Sequence, residues 1–340
     1  MDALFIYNPV AGQTSIEREL DLCLTQLVPV GWHVDLALTT GPRHATELAR
    51  KAAASGCDLV VAVGGDGTAS EVANGLVETS TVMGVIPAGT TNVWALQVGI
   101  PSVPPWHPRK VVDRVLADLE EWGWHRPPGV PSWLANAFSG LLTSEVRPVD
   151  VGVVNGRHFL LWLGVGFDAV VTEHVEPEDK RRYGVLAYVA SVFSVTLEYT
   201  GARMHLELED RVVQDEVLMV LAANARLYGG VLEMAPRAYL DDGLLDVCVF
   251  KGDGIGTTVR HLAAVLAGRH CDEANVEYHQ VSRLKVASMP SQPVHADDEI
   301  CAVTPVDVSV RPLGLRILVP GGGGQALFSR PAVGRLLDLV

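Results

Sequence analysis

Along the first third of the chain, runs of consecutive apolar residues alternate with runs whose apolar positions recur every three or four residues. "LFIYN", "HVDLALTT", "DLVVAVG" and "MGVIP" read as strands, nearly all apolar as expected for strands covered on both faces. Between them, "SIERELDLCLTQL", "RHATELARKAAA" and "TASEVANGL" carry helical spacing. Strand and helix in turn predict a parallel sheet with helices on both faces. The pattern holds to about Leu119 and breaks at "EEWGWHRPPGVPSW", whose Pro, Gly and Trp content reads as a linker or crossover. Beyond it, "MHLELED", "VLMVLAAN", "LLDVCVF", "NVEYHQVSRLKVAS" and "VDVSVRPLGLRILVP" read as antiparallel strands, several alternating with period two. Two helical stretches interrupt them, "YGVLAYVASVFSVTLEY" and "GTTVRHLAAVLAG". The first of these is more simply a core helix than a lipid-facing stripe. The C-terminal "GGGGQALFSRPAVGRLLDLV" reads as a Gly run and a short amphipathic helix that returns to the first domain. The expected fold is therefore α/β plus β: a doubly wound domain over residues 1–128, completed by 318–340, and a β-rich sandwich over 135–317.

Composition narrows the class. A chain of 340 residues, 48% hydrophobic with mean hydropathy +0.23, can bury two cores. Its longest apolar runs, such as "FLLWLGVGF", are too short to cross a bilayer. The chain opens at once on a strand-like segment, without a cationic leader, so the expectation is a cytoplasmic protein. Cys23, Cys57, Cys248, Cys271 and Cys301 are scattered and mostly in apolar contexts, as buried thiols of a reducing compartment would be. Net charge is -14, which disfavours nucleic acid as a partner and removes a general polybasic route to anionic membranes. Lys180, Arg181 and Arg182 form the one compact basic run and read as a solvated turn. The histidines show no metal-ligand spacing, and His295 reads as a bystander to the acids that follow it.

The stretch "VVAVGGDGTASEVANGL" carries the most chemistry. Glycines at a strand end let backbone N–H groups approach a phosphate, and the following helix N-terminus adds its dipole. Thr68 stands where an N-cap would. Neither the P-loop nor the dinucleotide fingerprint is present, and an acid, Asp66, occupies the place where a phosphate loop usually has a lysine. An acid suits phosphates if a divalent cation lies between, or if it takes a proton from an attacking hydroxyl. The same spacing also suits a Gly-rich turn with Asp66 as a helix cap. "NPVAG" and "PAGTTN" follow two other strands, and Thr39-Thr40 a fourth. In an open parallel sheet such strand ends share one crevice.

These residues resemble the diacylglycerol kinase catalytic family of lipid kinases, which includes bacterial diacylglycerol kinases and the related sphingosine and ceramide kinases. "NPVAG", "GGDGTASEVANGL" and "PAGTTNVWAL" are similar to its nucleotide motifs, in order; "GVGFDA", "KRRYGVLAYV", "APRAYLDDGLLDV" and "HADDE" are similar to its later ones. The resemblance spans nearly the whole chain. It implies an NAD kinase-like nucleotide-binding domain, a C-terminal β-sandwich and a cleft between them for ATP and lipid. By that match Asn8, Gly64, Gly65, Asp66, Gly67, Thr68, Gly89 and Thr90 hold ATP, with Thr40 near the nucleoside and Glu71 near the site. A Mg²⁺ is implied on Asp242 and the carbonyls of Tyr239 and Leu244; an Asp-Gly hairpin turn explains the same residues without metal. Glu299 is implied as the general base, with Asp66 in that role in the sphingosine kinase branch.

Two positions depart from the family pattern. Asp298 replaces the Gly of its D-G-E motif, and Val93 replaces an Asp that joins a charged network, which would leave Lys180 short of a partner. The expected function is transfer of the γ-phosphoryl of ATP to the hydroxyl of a diacylglycerol-like lipid at a membrane surface, with Mg²⁺. The protein would associate peripherally with that surface during catalysis. The alternatives are a soluble-substrate kinase of the NAD kinase type and a nucleotide-binding homologue without catalysis. Trp94, Trp106, Trp122, Trp124 and Trp133 suit either a membrane interface or linker packing, and a homodimer is compatible with the sequence.

Overall fold

The first segment folds as its alternation predicts. β1 (Asp2–Tyr7), β2 (His33–Leu38), β3 (Leu59–Gly64) and β4 (Val82–Pro87) are parallel, in the order β2–β1–β3–β4. α1 (Glu17–Leu24), α2 (His44–Ala54) and α3 (Asp66–Leu76) make the crossovers. β3 and β4 are buried at every position, as central strands covered on both faces must be. The computed structural model describes residues 1–12, 15–100, 126–174, 199–209, 211–230, 232–297, 299–321 and 324–336. Outside them lie Lys180–Arg182, Trp106, Trp122, Trp124, Asp298 and the "YGVLAYVASVFSV" stretch.

The chain divides into two compact units, Met1–Val149 with Leu313–Val340, and Asp150–Pro312. After β4 come the short α4 (Val93–Gln97) and then α5 (Ser132–Leu142). Of the Pro-rich stretch before α5, the described part from Arg126 to Pro131 is irregular, and the helix starts at Ser132. Its apolar residues lie on nearly all sides, so no amphipathic stripe announces it. α5 stacks Phe138 on Phe5, ring centroids 5.7 Å apart, in a core that includes Tyr7, Leu20, Leu59 and Ile86.

The second unit is antiparallel, and the strands at its borders, Ser144–Val154 and Val306–Pro320, lie partly in the first unit, where Arg316 and Ile317 pair parallel with β4. β5 (Ser144–Val154), β6 (Arg157–Phe159), β7 (Trp162–Gly166), β8 (Ala202–Leu208), β9 (Arg211–Ala223), β10 (Leu227–Tyr228), β11 (Leu232–Glu233), β12 (Leu245–Lys251), β13 (Val276–Val281), β14 (Arg283–Met289), β15 (Pro293–Ala296), β16 (Glu299–Val303) and β17 (Val306–Pro320) follow in order. The main path is β16–β15–β7–β9–β8–β14–β17, with β12 joining β9 to β13. β8 buries alternate residues, the signature of a strand with one face on a core. α6 (Phe167–His174) leaves β7 directly, and α7 (Gly254–Leu266) follows β12.

The C-terminal end differs from expectation. Its described part is a single 3-10 turn and a two-residue strand, β18 (Gly334–Arg335), paired with Val146 and Glu145 of β5. Trp94 is buried and Trp133 packs on the first core. All five cysteines are free thiols, and burial pushes Cys23 up to about 12. Among the described residues no helix is long and apolar enough to cross a membrane.

Candidate functional site

The four strand ends of the first unit lock together backbone to backbone. Asn8 N–H donates to the Val63 carbonyl (3.0 Å), Thr39 N–H to Tyr7 (2.9 Å), and Ala88 N–H to Gly64 (2.8 Å). The loops beyond them approach so closely that side chains are excluded. A Cβ on Gly89 would overlap Gly65 Cα and stand 3.1 Å from Gly65 N; one on Gly12, whose φ is +74°, would overlap the Ala88 carbonyl. Asn8 ties the first loop to the second: its Nδ2 donates to Thr68 Oγ1 at 3.1 Å, and its Oδ1 accepts Val10 N–H at 3.2 Å. Gly64 leaves the room that the Thr68 side chain fills. Thr68 is the third residue of α3, with Gly65 as N-cap, so its hydroxyl serves Asn8 and not the cap.

The acid among the glycines has a specific occupation. Asp66 Oδ2 accepts Val93 N–H and Oδ1 accepts Trp94 N–H, each at 2.9 Å, so the carboxylate caps α4. Asn92, at φ +53°, closes the same loop by exchanging two hydrogen bonds with the Gly89 backbone (3.0 and 2.8 Å). Val93, the departure from the family pattern, is buried and contributes through its N–H. Glu71 does the equivalent for α2, accepting Arg43 N–H (2.9 Å) and Ala45 N–H (3.1 Å). Thr40 turns to His44, whose Nδ1 accepts its N–H at 3.1 Å. What remains open at this edge is the N-terminus of α3. Its first-turn N–H groups have no intrahelical partner by helix geometry, Gly67 is exposed, and a Cβ there would meet nothing within 4 Å. Thr90 and Thr40 are exposed beside their loops.

The second unit carries two polar centres. In the first, Asp242 Oδ1 accepts Leu244 N–H (3.0 Å) around Gly243, whose φ is +80°, and buried Asp150 accepts Gly243 N–H at 2.6 Å. Burial, then the charge of Asp241, raises the pKa of Asp242. Such a carboxylate is better accommodated with a cation beside it, and an oxygen-only donor set suits a hard divalent ion. Among the described residues no three His, Cys, Asp or Glu side chains group to hold a metal, so a cation here would rest on Asp242, carbonyls and water. Nearby Asp246 is fully buried, accepts from Tyr278 and Gln280 (3.2 Å), and is pushed up to about 6, chiefly by desolvation.

The second centre is the hairpin β15–β16. Glu299 opens β16 and pairs with Arg157 at 2.7 Å, its side chain 64% exposed. Asp297 in the turn has φ +54° and stands immediately before the position where the family has Gly. Its carboxylate accepts the N–H groups of Leu160 (3.1 Å) and Leu161 (2.8 Å). His295 is buried, bonded through Nε2 to Asp168 and through Nδ1 to the Asp297 carbonyl (3.0 Å). Tyr228 donates its hydroxyl to Asp168.

Residues 2–120 match the diacylglycerol kinase catalytic domain model, and residues 162–319 match the YegS C-terminal NAD kinase beta sandwich-like domain. The chain belongs to the diacylglycerol kinase catalytic family. A diacylglycerol kinase of Bacillus subtilis (strain 168) is 27% identical over 305 residues, covering 89% of this chain and 91% of its own. One of Staphylococcus epidermidis (strain ATCC 35984) is 25% identical over 299 residues, covering 87% and 85%. A crystal structure of a diacylglycerol kinase from Bacillus anthracis str. Sterne superposes with a TM-score of 0.71 at 24% identity, over 94% of this chain and 96% of that one. At that identity the likeness establishes the fold.

Of the residues matched to the kinase family's motifs, Asn8, Gly64 to Thr68 and Gly89 meet at one sheet edge, with Thr90 exposed on the last loop. Glu71 is directed instead to the start of α2. Tyr239, Asp242 and Leu244 share one loop of the second unit, and no hydrogen bond or ion pair joins Asp242 to Glu299. Asp150, Asp168, Tyr228 and Asp297 were not anticipated as members of these centres. Asp168 lies in the "GVGFDA" motif, the one signal that could have marked it.

Proposed function

We propose that this chain is an ATP- and Mg²⁺-dependent lipid kinase that phosphorylates the hydroxyl of a diacylglycerol-like acceptor. The observation that carries the reading is the open N-terminus of α3 at Gly67, framed by loops packed glycine on glycine. Such a rim offers N–H donors and a helix dipole to phosphates. Asn8, Thr68, Gly89 and Thr90 shape it, and Thr40 stands at its border. In the reaction the acceptor oxygen bonds to the γ-phosphorus, the bond to the β-phosphate oxygen breaks, and Glu299 takes the hydroxyl proton. Both Asp66 oxygens are occupied by backbone N–H groups, which favours Glu299 over Asp66 as the base. Asp242, with the Tyr239 and Leu244 carbonyls, would hold Mg²⁺, which when bound supplies positive charge that offsets the local carboxylates. With a net charge of -14, contact with a membrane surface would rest on apolar groups.

The test is phosphate transfer from γ-labelled ATP to lipid in mixed micelles with Mg²⁺. A labelled lipid is expected, and Glu299→Gln should lower turnover by roughly 10²–10⁴-fold with ATP binding retained. A full rate in that variant removes Glu299 as base. Labelling of a water-soluble acceptor alone would replace the lipid kinase reading with a soluble-substrate one.

A further inference from the structure

We propose that His295 and Asp168 are positioning residues for Glu299, an inference that rests on the reading of Glu299 as the base. Glu299 follows the turn of a hairpin in which Ala296 pairs with Glu299, so the turn's conformation sets where the Glu299 side chain starts. Asp297, at φ +54°, is a costly conformation for a non-glycine residue and persists only where its surroundings hold it. Three groups of Asp297 are held. Its N–H donates to the Trp162 carbonyl (2.9 Å), its carboxylate accepts Leu160 and Leu161 N–H, and its carbonyl accepts from His295.

The histidine is the joint between that turn and α6. A carbonyl only accepts, so Nδ1 carries a proton and donates to Asp297, which fixes the ring's orientation. Nε2 then faces the Asp168 carboxylate, which is also held by the Tyr228 hydroxyl. The site is cut to fit this pair: a Cβ on Gly164 would overlap both Asp168 Oδ2 and His295 Nε2. His295 is 1% exposed and Asp168 5%, so an apolar pair would cost less desolvation than this one. The polar pair instead delivers a directed hydrogen bond to the turn before the base.

The experiment compares three substitutions. Asn at 295 places an amide donor near the Nδ1 position, Gln reaches toward Nε2, and Val makes neither bond. Turnover and KM for ATP are measured on the full chain, with hydrogen exchange of the Leu160 and Leu161 amides as the report on Asp297. His295→Val is expected to lower kcat by roughly 10- to 100-fold with KM for ATP within about twofold. Leu160 and Leu161 exchange should quicken, and His295→Asn should recover part of both effects. A His295→Val variant with wild-type kcat, while Glu299→Gln is inactive, overturns the proposal and leaves the base reading intact. Exchange that quickens equally at strands far from the turn shows a merely structural role and also overturns it. If Glu299→Gln keeps full turnover, or the wild-type chain labels no lipid, the base reading fails and the positioning role fails with it.

Discussion

Replacing Gly67 with Ala should move stability and ATP binding in opposite directions. Gly67 is the second residue of α3, is exposed, and would gain a Cβ that meets no atom within 4 Å. Its φ is not among the positive values, so alanine fits the backbone without strain. Alanine also reduces the freedom of the unfolded chain, which is worth about 0.4–1 kcal/mol at a compatible site. The protein alone should therefore be as stable as the parent or slightly more so. The same methyl would occupy the space through which a phosphate oxygen reaches the first-turn N–H groups. Losing one charge-assisted hydrogen bond costs about 1.5–3 kcal/mol, or roughly 10- to 150-fold in Kd. Urea unfolding without nucleotide and calorimetric titration with ATP measure the two quantities separately. An unchanged Kd in a stable variant would refute the assignment of phosphate to the α3 N-terminus. A loss of stability would refute the open environment of Gly67.

Gly89→Ala should behave oppositely: overlap with Gly65 Cα forces two backbones apart, so urea unfolding should show a loss of about 1–3 kcal/mol before any ligand is added. Asp66→Asn keeps at most one acceptor for the Val93 and Trp94 N–H groups and turns an amide donor toward the other. It should cost about 2 kcal/mol by denaturation and quicken exchange at those two amides, and unchanged exchange there would refute the capping role. Asp246 should make stability fall between pH 3.8 and about 6, because the folded group keeps its proton to about 6 while the unfolded one loses it near 3.8. The shift corresponds to ~3 kcal/mol, fully absent below the lower value and fully present above the upper. Asp246→Asn in EDTA should remove that slope in urea midpoints taken from pH 4 to 7, and an identical slope would refute it.

The sheet edge was legible in the sequence because its determinants are local. Glycines and asparagine stand directly after buried strands, and strand-end loops of a parallel sheet share one edge. The partners of the acids were not legible, because they are backbone N–H groups distant in sequence. Asp66 reaches Val93 and Glu71 reaches back to Arg43, and no residue-type pattern encodes a backbone donor. α5 was hidden for a different reason: "SWLANAFSGLL" has apolar residues on nearly all sides, so its helical period is too weak to separate it from a linker. His295 stands in a strand buried at Val294, His295 and Ala296 alike, so no alternation marks its direction, and its partner Asp168 lies 127 positions away. The two meet because β7, from which α6 leaves, pairs with β15.

The glycine-on-glycine packing at the sheet edge also limits how such a chain can diversify. Gly12, Gly64 and Gly89 are fixed by neighbouring atoms, so substitution there disturbs the rim's own packing first. On the proposed reading of this edge as the nucleotide site, a new preference would have to be written into bordering positions such as Thr40 and Thr90, which are exposed. The rim itself is a fixed fitting, held by its own packing.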